Sequence, residues 1–220
     1  EEPLPLRKVA TPHASTIQAL ASYLGIAEAR TAKAVFMVAG LGRNGETHDQ
    51  FLFVVVRGDM EVNEAKLISA LHAHSLRPAT EEEIRATGAT PGYASPVGLR
   101  DVLVVADDLI PQSPNLVAGA NEEGFHLMNV NYGRDFTAQV ITNLADVRQG
   151  DACPACGHPL RAERGVPVAN THAWGSRFAE ALGVTYLDEN GQANPVLMGS
   201  YSIDLGRLLA CLAEEHHDEG

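Results

Sequence analysis

The sequence has few cysteines and no apolar run long enough to cross a bilayer. Its three cysteines, two of them close together, cannot build a disulfide framework, which fits a reducing compartment. No apolar stretch approaches the ~20 residues of a transmembrane helix, and the first residues, EEPLPLRK, lack the pattern of a signal peptide. We therefore expect a soluble, cytoplasmic protein that does not enter a membrane.

Positive charge is also scarce. The chain has 16 Lys and Arg against 28 Asp and Glu, which gives a formal net charge of −12 at pH 7. This surplus of negative charge argues against a protein that coats DNA or RNA through bulk electrostatics. It leaves open a site that holds one end of a nucleic acid through a few local cations.

Familiar catalytic motifs are missing as well. There is no G-x-S-x-G elbow, no H-E-x-x-H, no P-loop and no dinucleotide fingerprint. Cys153 and Cys156 have the spacing of half a zinc site, but a tetrahedral site needs two more ligands, for which only His158 and the distant Cys211 are candidates. We favour a reduced structural turn and expect no bound metal. Any catalysis has to proceed without an obvious nucleophile or metal.

Apolar periodicity divides the first 150 residues into helices and strands. Helices are predicted for STIQALASYLG with a Ser15 or Thr16 cap, for NEAKLISALHAH after Asn63, and after the capping box of Thr80 and Glu83. Strands are predicted for KAVFMVAG and FLFVVVRGD, paired as a hairpin, and for DVLVVAD, LVAGAN and FHLMNV. Because regular β-α-β spacing is absent, we expect an α+β fold with a mixed sheet or partly closed barrel surrounded by helices.

The composition changes after residue 150, which suggests a division of the chain. Residues 1–13, with three prolines, are predicted to be a linker, and residues 14–150 to be one domain. Residues 151–220 contain the ACPACGHPL knuckle, a hairpin around Asn190 and Gly191, and an amphipathic C-terminal helix. We expect this second part to be a portion of a larger domain made of an antiparallel sheet and helices.

Four features allow both a structural and a functional interpretation. The stretch TPGYASPVGL, residues 90–99, has two glycines and two prolines and is either a connector or a loop whose backbone groups bind a ligand. Lys33 begins an apolar strand and either extends to solvent at an edge or meets a phosphate or carboxylate at a pocket mouth. His126 is more often a hydrogen-bonded core histidine, and Asp107 an acid that caps the turn after a strand.

Seen in order, several segments resemble one family. They are VVVRGDMEVNEAKL, TEEEIRATG, GYASPVGL, VVADD, NLVAGANEEGFHLMNVNYGRDF, GDACPACG, LDENG, MGSYSIDLGR and EEHHDEG. The series resembles bacterial-type prolyl-tRNA synthetases, from their inserted editing domain into the class II core. The part up to residue 150 also resembles free-standing YbaK-type aminoacyl-tRNA deacylases, with a G-x-x-x-P element at Gly92 to Pro96. The resemblance implies a YbaK-like domain that hydrolyses mischarged tRNA, above all alanine on proline tRNA, without a cofactor.

The resemblance also implies roles for individual residues. Lys33 corresponds to a lysine that contacts the phosphate and sugar at the tRNA 3′ end. The 3′ end of an aminoacyl-tRNA is therefore the partner that the resemblance implies. Gly92 and Pro96 belong to the loop that orients the aminoacyl ester, and His126 corresponds to a histidine that limits the pocket. Asp107 corresponds to an acid of the same site. The residues expected to form the substrate pocket are Ile17, Leu20 and Ser95.

The second part departs from the family pattern. PVAN, residues 167–170, stands where the family has Glu-Val-Gly-His, and Ser202 to Asp204 replace Gly-Ile-Gly, although Arg207 remains for an ATP phosphate. The first two class II signatures are absent from these residues, so ATP and Mg²⁺ are expected only with a full synthetase core, as is a homodimer formed through it. The alternatives are a part of a proline-tRNA ligase and a non-catalytic remnant that binds tRNA or a synthetase.

Overall fold

A computed structural model describes residues 2–43, 46–99, 102–153 and 155–218 of the chain. The chain divides into two compact units, Glu1–Val147 and Arg148–Gly220, which we describe separately. Among the described residues, no helix combines the length and the apolar character needed to cross a membrane.

The first unit contains eight strands and three α-helices within the described residues. In chain order the elements are β1 (Arg7–Ala10), α1 (Ile17–Leu24), a 3₁₀ turn (Glu28–Arg30), β2 (Ala32–Arg43), β3 (Glu46–Arg57), α2 (Glu64–Leu71), β4 (Ser75–Pro78), α3 (Glu81–Ala86), β5 (Leu103–Asp107), β6 (Leu116–Gly119), β7 (Phe125–Val130) and β8 (Val140–Thr142).

A mixed five-stranded sheet in the order β4-β2-β3-β5-β8 forms the centre of this unit. Strands β2 and β3 pair antiparallel as the predicted hairpin, with Lys33 opposite Val56, whereas β3, β5 and β8 are parallel to one another. Strand β3 is buried on both faces: Phe53 and Val55 pack in one apolar cluster, and Leu52 and Val54 in another. This explains why the second half of β3, residues 51–56, is continuously apolar instead of alternating.

A second sheet, in the order β1-β7-β6, is antiparallel and lies beside the first. One parallel bridge between Thr31 and Val117 links the two sheets in the part of the chain that the structure describes. The predicted combination of helices with a mixed sheet is confirmed, but the alternative of a partly closed barrel is wrong. The sheets do not close, because the two edge strands of the larger sheet, β4 and β8, each pair with one neighbouring strand only.

The three helices of the first unit begin at the capping residues predicted from the sequence. The hydroxyl of Thr16 and the amide oxygen of Asn63 accept the expected backbone N–H groups, and Thr80 and Glu83 form the predicted capping box. The sequence did not reveal β1, which lies within the predicted linker, or the short strands β4 and β8. The residue Asp101, with which the predicted strand DVLVVAD begins, lies outside the described residues.

The second unit is a smaller set of paired strands and two helices. Its elements are β9 (Ala169–Gly175), α4 (Arg177–Leu182), β10 (Thr185–Leu187), β11 (Ala193–Pro195), β12 (Met198–Ile203) and α5 (Leu205–Glu215). Strands β10 and β11 form the hairpin predicted around Asn190 and Gly191, and β9 pairs with β12. Asp204 caps α5 through Arg207 N. That this unit is part of a synthetase core remains a prediction.

Candidate functional site

A cavity of about 400 Å³ opens in the first unit between α1, the start of β2 and the loop before β5. Five of the residues predicted for the site line this cavity together: Ile17, Leu20, Lys33, Gly92 and His126. They come from two helix positions, two strands and a loop that are far apart in the sequence. The small and apolar residues that line the cavity include Ala32, Ala34 and Phe36 of β2.

Lys33 is the lysine of this cavity, and an acid already pairs with it. Its Nζ lies 2.5 Å from Oε2 of Glu61 and 3.5 Å from the carbonyl oxygen of Met60. The Lys33 side chain is 24% exposed and that of Glu61 is 59% exposed. Because an exposed ion pair adds at most ~1 kcal/mol, an incoming phosphate can compete with Glu61 for the ammonium group.

The loop that contains Gly92 presents backbone groups at the cavity. Gly92 has a left-handed φ of 79°, which favours glycine, and the N–H of Tyr93 closes a turn onto the carbonyl of Thr90 at 3.0 Å. Gly92 and Ala94 line the cavity, and neither N–H donates a hydrogen bond to any residue that the structure describes. These two N–H groups are therefore the candidate donors to an oxyanion.

The loop lies directly against Gly119 at the end of β6. A Cβ at this position would be 2.1 Å from the carbonyl carbon and oxygen of Tyr93 and 2.4 Å from Ala94 N. No side chain fits in that space, so the close approach of loop and strand requires glycine. Sequence analysis did not single out Gly119, since nothing in LVAGAN indicates which backbone comes close to it.

His126 forms a buried, neutral wall of the cavity. It is 4% exposed, its ring lies 5.4 Å from that of Tyr93, and its Nδ1 is 2.6 Å from Oγ1 of the buried Thr11. Burial lowers the pKa of His126 from 6.5 to about 4. At neutral pH the imidazole is uncharged and is a weak base, so its contribution is shape and hydrogen bonding. No motif or periodicity in the sequence points to Thr11.

The structure does not bring Asp107, Ser95 or Pro96 to the cavity wall. Asp107 is fully buried: Oδ1 accepts the N–H of Leu109, and Oδ2 accepts those of Leu144 and Ala145. Its carboxylate therefore fixes the chain after β5 and β8, as a capping acid does. Ser95 and Pro96 are buried residues of the loop itself, and the Ser95 hydroxyl has no hydrogen-bond partner in the described chain.

The predicted residues of the second unit lie in local structure. The N–H of Cys153 donates to the carbonyl of His158 at 2.9 Å, and backbone N–H groups of Ala155 and Cys156 lower the pKa of the Cys153 thiol. Across the described residues, no group of three or more His, Cys, Asp or Glu is arranged to hold a metal. Arg207 donates through Nη1 to the carbonyl of Pro167 at 2.8 Å.

The mixed α/β fold of the first unit is similar to that of a YbaK-like editing domain. Two solved structures match it at a TM-score of 0.51. One is a hypothetical protein that is 19% identical, and the match covers 65% of this chain and 93% of that protein. The other is a candidate trans-editing enzyme for prolyl tRNA synthetase that is 21% identical, and the match covers 64% of this chain and 87% of that enzyme. At such low identity the likeness concerns the fold alone. Residues 11–136 match the family described as the aminoacyl-tRNA editing domain, and the chain belongs to this family.

Curated relatives extend the similarity through the second unit. The chain is 53% identical over 215 residues to a proline–tRNA ligase of Salinispora tropica, which covers 97% of this chain and 36% of the relative. It is 41% identical over 221 residues to a proline–tRNA ligase of Bacillus subtilis, and this match covers 100% of the chain and 38% of the relative. The resemblance to prolyl-tRNA synthetases is confirmed, and the chain spans little more than a third of these relatives.

Proposed function

We propose that this chain hydrolyses the ester bond of a mischarged tRNA, and that alanine on proline tRNA is the substrate. The observation that supports this most directly is the meeting of Lys33, the free N–H groups of Gly92 and Ala94, and neutral His126 at one cavity. The family of the chain implies an aminoacyl-tRNA partner. Most of the chemistry can come from the backbone and the substrate.

The reaction needs neither a protein nucleophile nor a metal, because an aminoacyl ester is already activated. A water oxygen attacks the carbonyl carbon, the bond from that carbon to the ribose oxygen breaks, and the ribose oxygen takes a proton. The products are a free amino acid and a tRNA with a free terminal hydroxyl. The Gly92 and Ala94 N–H groups stabilise the oxyanion, and loss of one such donor typically costs about 10²–10³ in rate. The neighbouring ribose hydroxyl of the substrate orients the water.

The apolar end of the cavity supplies the selection by size. Ile17 and Leu20 lie one turn apart on α1 and, with His126, face the same space. A synthetic site shaped for proline rejects a smaller amino acid by only ~1–3 kcal/mol per missing methylene, so alanine is mischarged at a measurable rate. A second, smaller pocket admits alanine and excludes proline.

Lys33 gives the site its hold on the nucleic acid. The terminal phosphate replaces the carboxylate of Glu61 at the ammonium group and places the ester beside the loop. One local cation serves this role in a chain with a net charge of −12, because the tRNA body is expected to contact a synthetase. The relatives named proline–tRNA ligase favour such a setting, with editing in cis to the synthetic site.

Deacylation of Ala-tRNA and Pro-tRNA, both charged on proline tRNA, tests the proposal. We expect the wild-type chain to release alanine much faster than proline, and Lys33→Ala to lose at least about 10² in kcat/KM through loss of phosphate contact and positioning. Lys8→Ala is the matched control, because Lys8 also pairs with an exposed acid, Glu122, but does not line the cavity.

Full activity of Lys33→Ala would remove this residue from the mechanism. Binding of tRNA without any hydrolysis by the wild-type chain would instead favour a non-catalytic binding module.

A further inference from the structure

Asn121 attaches the cavity loop to the rest of the first unit. Its side-chain Oδ1 accepts the N–H of Ser95 at 3.0 Å, and its Nδ2 donates to the carbonyls of Ser95 at 3.0 Å and Val97 at 3.1 Å. Its backbone N–H donates to the carbonyl of Tyr93 at 2.8 Å, and its carbonyl accepts the hydroxyl of Thr90 at 2.9 Å. One residue thus makes five hydrogen bonds to a single loop.

The conformation of Asn121 explains why an asparagine performs this function. Its φ is 54°, in the left-handed region that asparagine tolerates better than most residues. A carboxamide carries an acceptor and two donors on one short side chain, which matches one N–H and two carbonyl groups. Aspartate fits the same backbone but offers no donor, so its charge would face the two carbonyl oxygens.

We propose that Asn121 is a positioning residue for the reaction: it fixes the direction of the Gly92 and Ala94 N–H groups toward the substrate carbonyl. This inference rests on the proposed function. The attached positions, Thr90, Tyr93 and Ser95, alternate along the loop with the two free donors. Among the described residues, every side-chain hydrogen bond to the backbone of residues 91–97 comes from Asn121.

Such fixing is valuable in catalysis because hydrogen-bond donors stabilise an oxyanion only when they are already aligned. A displacement of about 1 Å at a reacting centre can cost about 10² in rate. Gly119, two residues earlier, supports the same loop from behind by allowing backbone contact. The segment from Gly119 to Asn121 therefore holds the loop at two adjacent points, while the amino acid and phosphate contacts come from elsewhere in the cavity.

The test compares steady-state deacylation of Ala-tRNA by the wild-type chain and the variants Asn121→Asp and Asn121→Gly. Asn129→Asp is the matched control, because Asn129 also has a left-handed φ of 63° and a side-chain bond to a backbone carbonyl, that of Pro5, outside the cavity. We expect kcat of Asn121→Asp to fall about 10²-fold with KM within about twofold, since binding contacts remain while the donors lose alignment. Asn121→Gly keeps both backbone bonds and should fall less.

The outcomes separate this inference from the proposed function. A wild-type chain that does not hydrolyse Ala-tRNA contradicts the proposed function itself. If the wild type is active, two results overturn the positioning role. One is a kcat of Asn121→Asp equal to that of Asn129→Asp, and the other is an Asn121→Asp variant with a raised KM and an unchanged kcat. Circular dichroism and Tm establish folding. If Asn121→Asp does not fold, the Asn121→Gly variant tests the inference instead. A kcat of Asn121→Gly equal to that of the wild type then overturns the inference.

Discussion

The buried histidine of the cavity makes the stability of the first unit depend on pH in a defined window. His126 is 4% exposed, and burial holds its pKa at about 4, against 6.5 for an ordinary histidine. As the pH falls, an unfolded chain therefore takes up this proton before the folded chain does. The folded state is favoured fully above pH 6.5, and this contribution is lost as the pH falls from 6.5 to 4.

The magnitude follows from the two pKa values. Each pH unit between them corresponds to about 1.4 kcal/mol of unfolding free energy, so the full loss by pH 4 is about 3 kcal/mol. Other depressed groups act in a lower window: the Arg77 ion pair holds the pKa of Glu83 at about 2, below its ordinary 4.5. Loss of stability between pH 6.5 and 4.5 can thus be assigned to His126 by comparison with a variant.

Two measurements check this reasoning. Proton NMR of the histidine Cε1–H signals, with His126 identified by its absence in His126→Gln, is expected to show a midpoint near pH 4. Urea unfolding followed by circular dichroism from pH 7 to 4.5 is expected to show a steeper loss of stability in the wild type than in His126→Gln. A His126 midpoint near 6.5, or equal pH dependence in the two proteins, would refute the burial argument.

Three further predictions concern neighbouring positions. Asp107→Ala leaves three backbone N–H groups without their acceptor, so urea unfolding should show a loss of roughly 3 kcal/mol, while kcat of the folded protein stays unchanged. Gly119→Ala forces the Tyr93 backbone away and should lower deacylation, whereas Gly165→Ala, with nothing within 4 Å of its Cβ, should not. Leu20→Ala enlarges the cavity and should raise hydrolysis of Pro-tRNA roughly tenfold relative to Ala-tRNA; an unchanged ratio contradicts the pocket assignment.

Most local structure of the first unit could be predicted because its signals are local. The caps at Thr16, Asn63 and Thr80 depend on side chains within three residues of the backbone groups they satisfy. The short strands β1, β4 and β8 were missed, because edge strands are stabilised by partners distant in sequence and have little apolar pattern of their own.

Some residues of the candidate site could likewise be predicted from the sequence, and others could not. The resemblance led to Lys33, Gly92, His126 and the α1 pair, and all of them line one cavity. Asp107 was grouped with them from sequence, but its carboxylate is committed to three backbone N–H groups elsewhere. The choice between a cavity wall and a buried cap depends on which N–H groups come near the side chain, and periodicity carries no such information.

By itself, the sequence determined the element types, the hairpin of β2 and β3, and membership in an editing family, because composition, caps and ordered motifs are properties of the linear chain. Only the tertiary structure decided that the sheets stay open, that Glu61 pairs with Lys33, and that Asn121 and Gly119 hold the loop. The hydrogen bonds of Lys33 and Asn121 join residues 24 to 31 positions apart, and their geometry is set by packing of the whole unit, which no local pattern encodes.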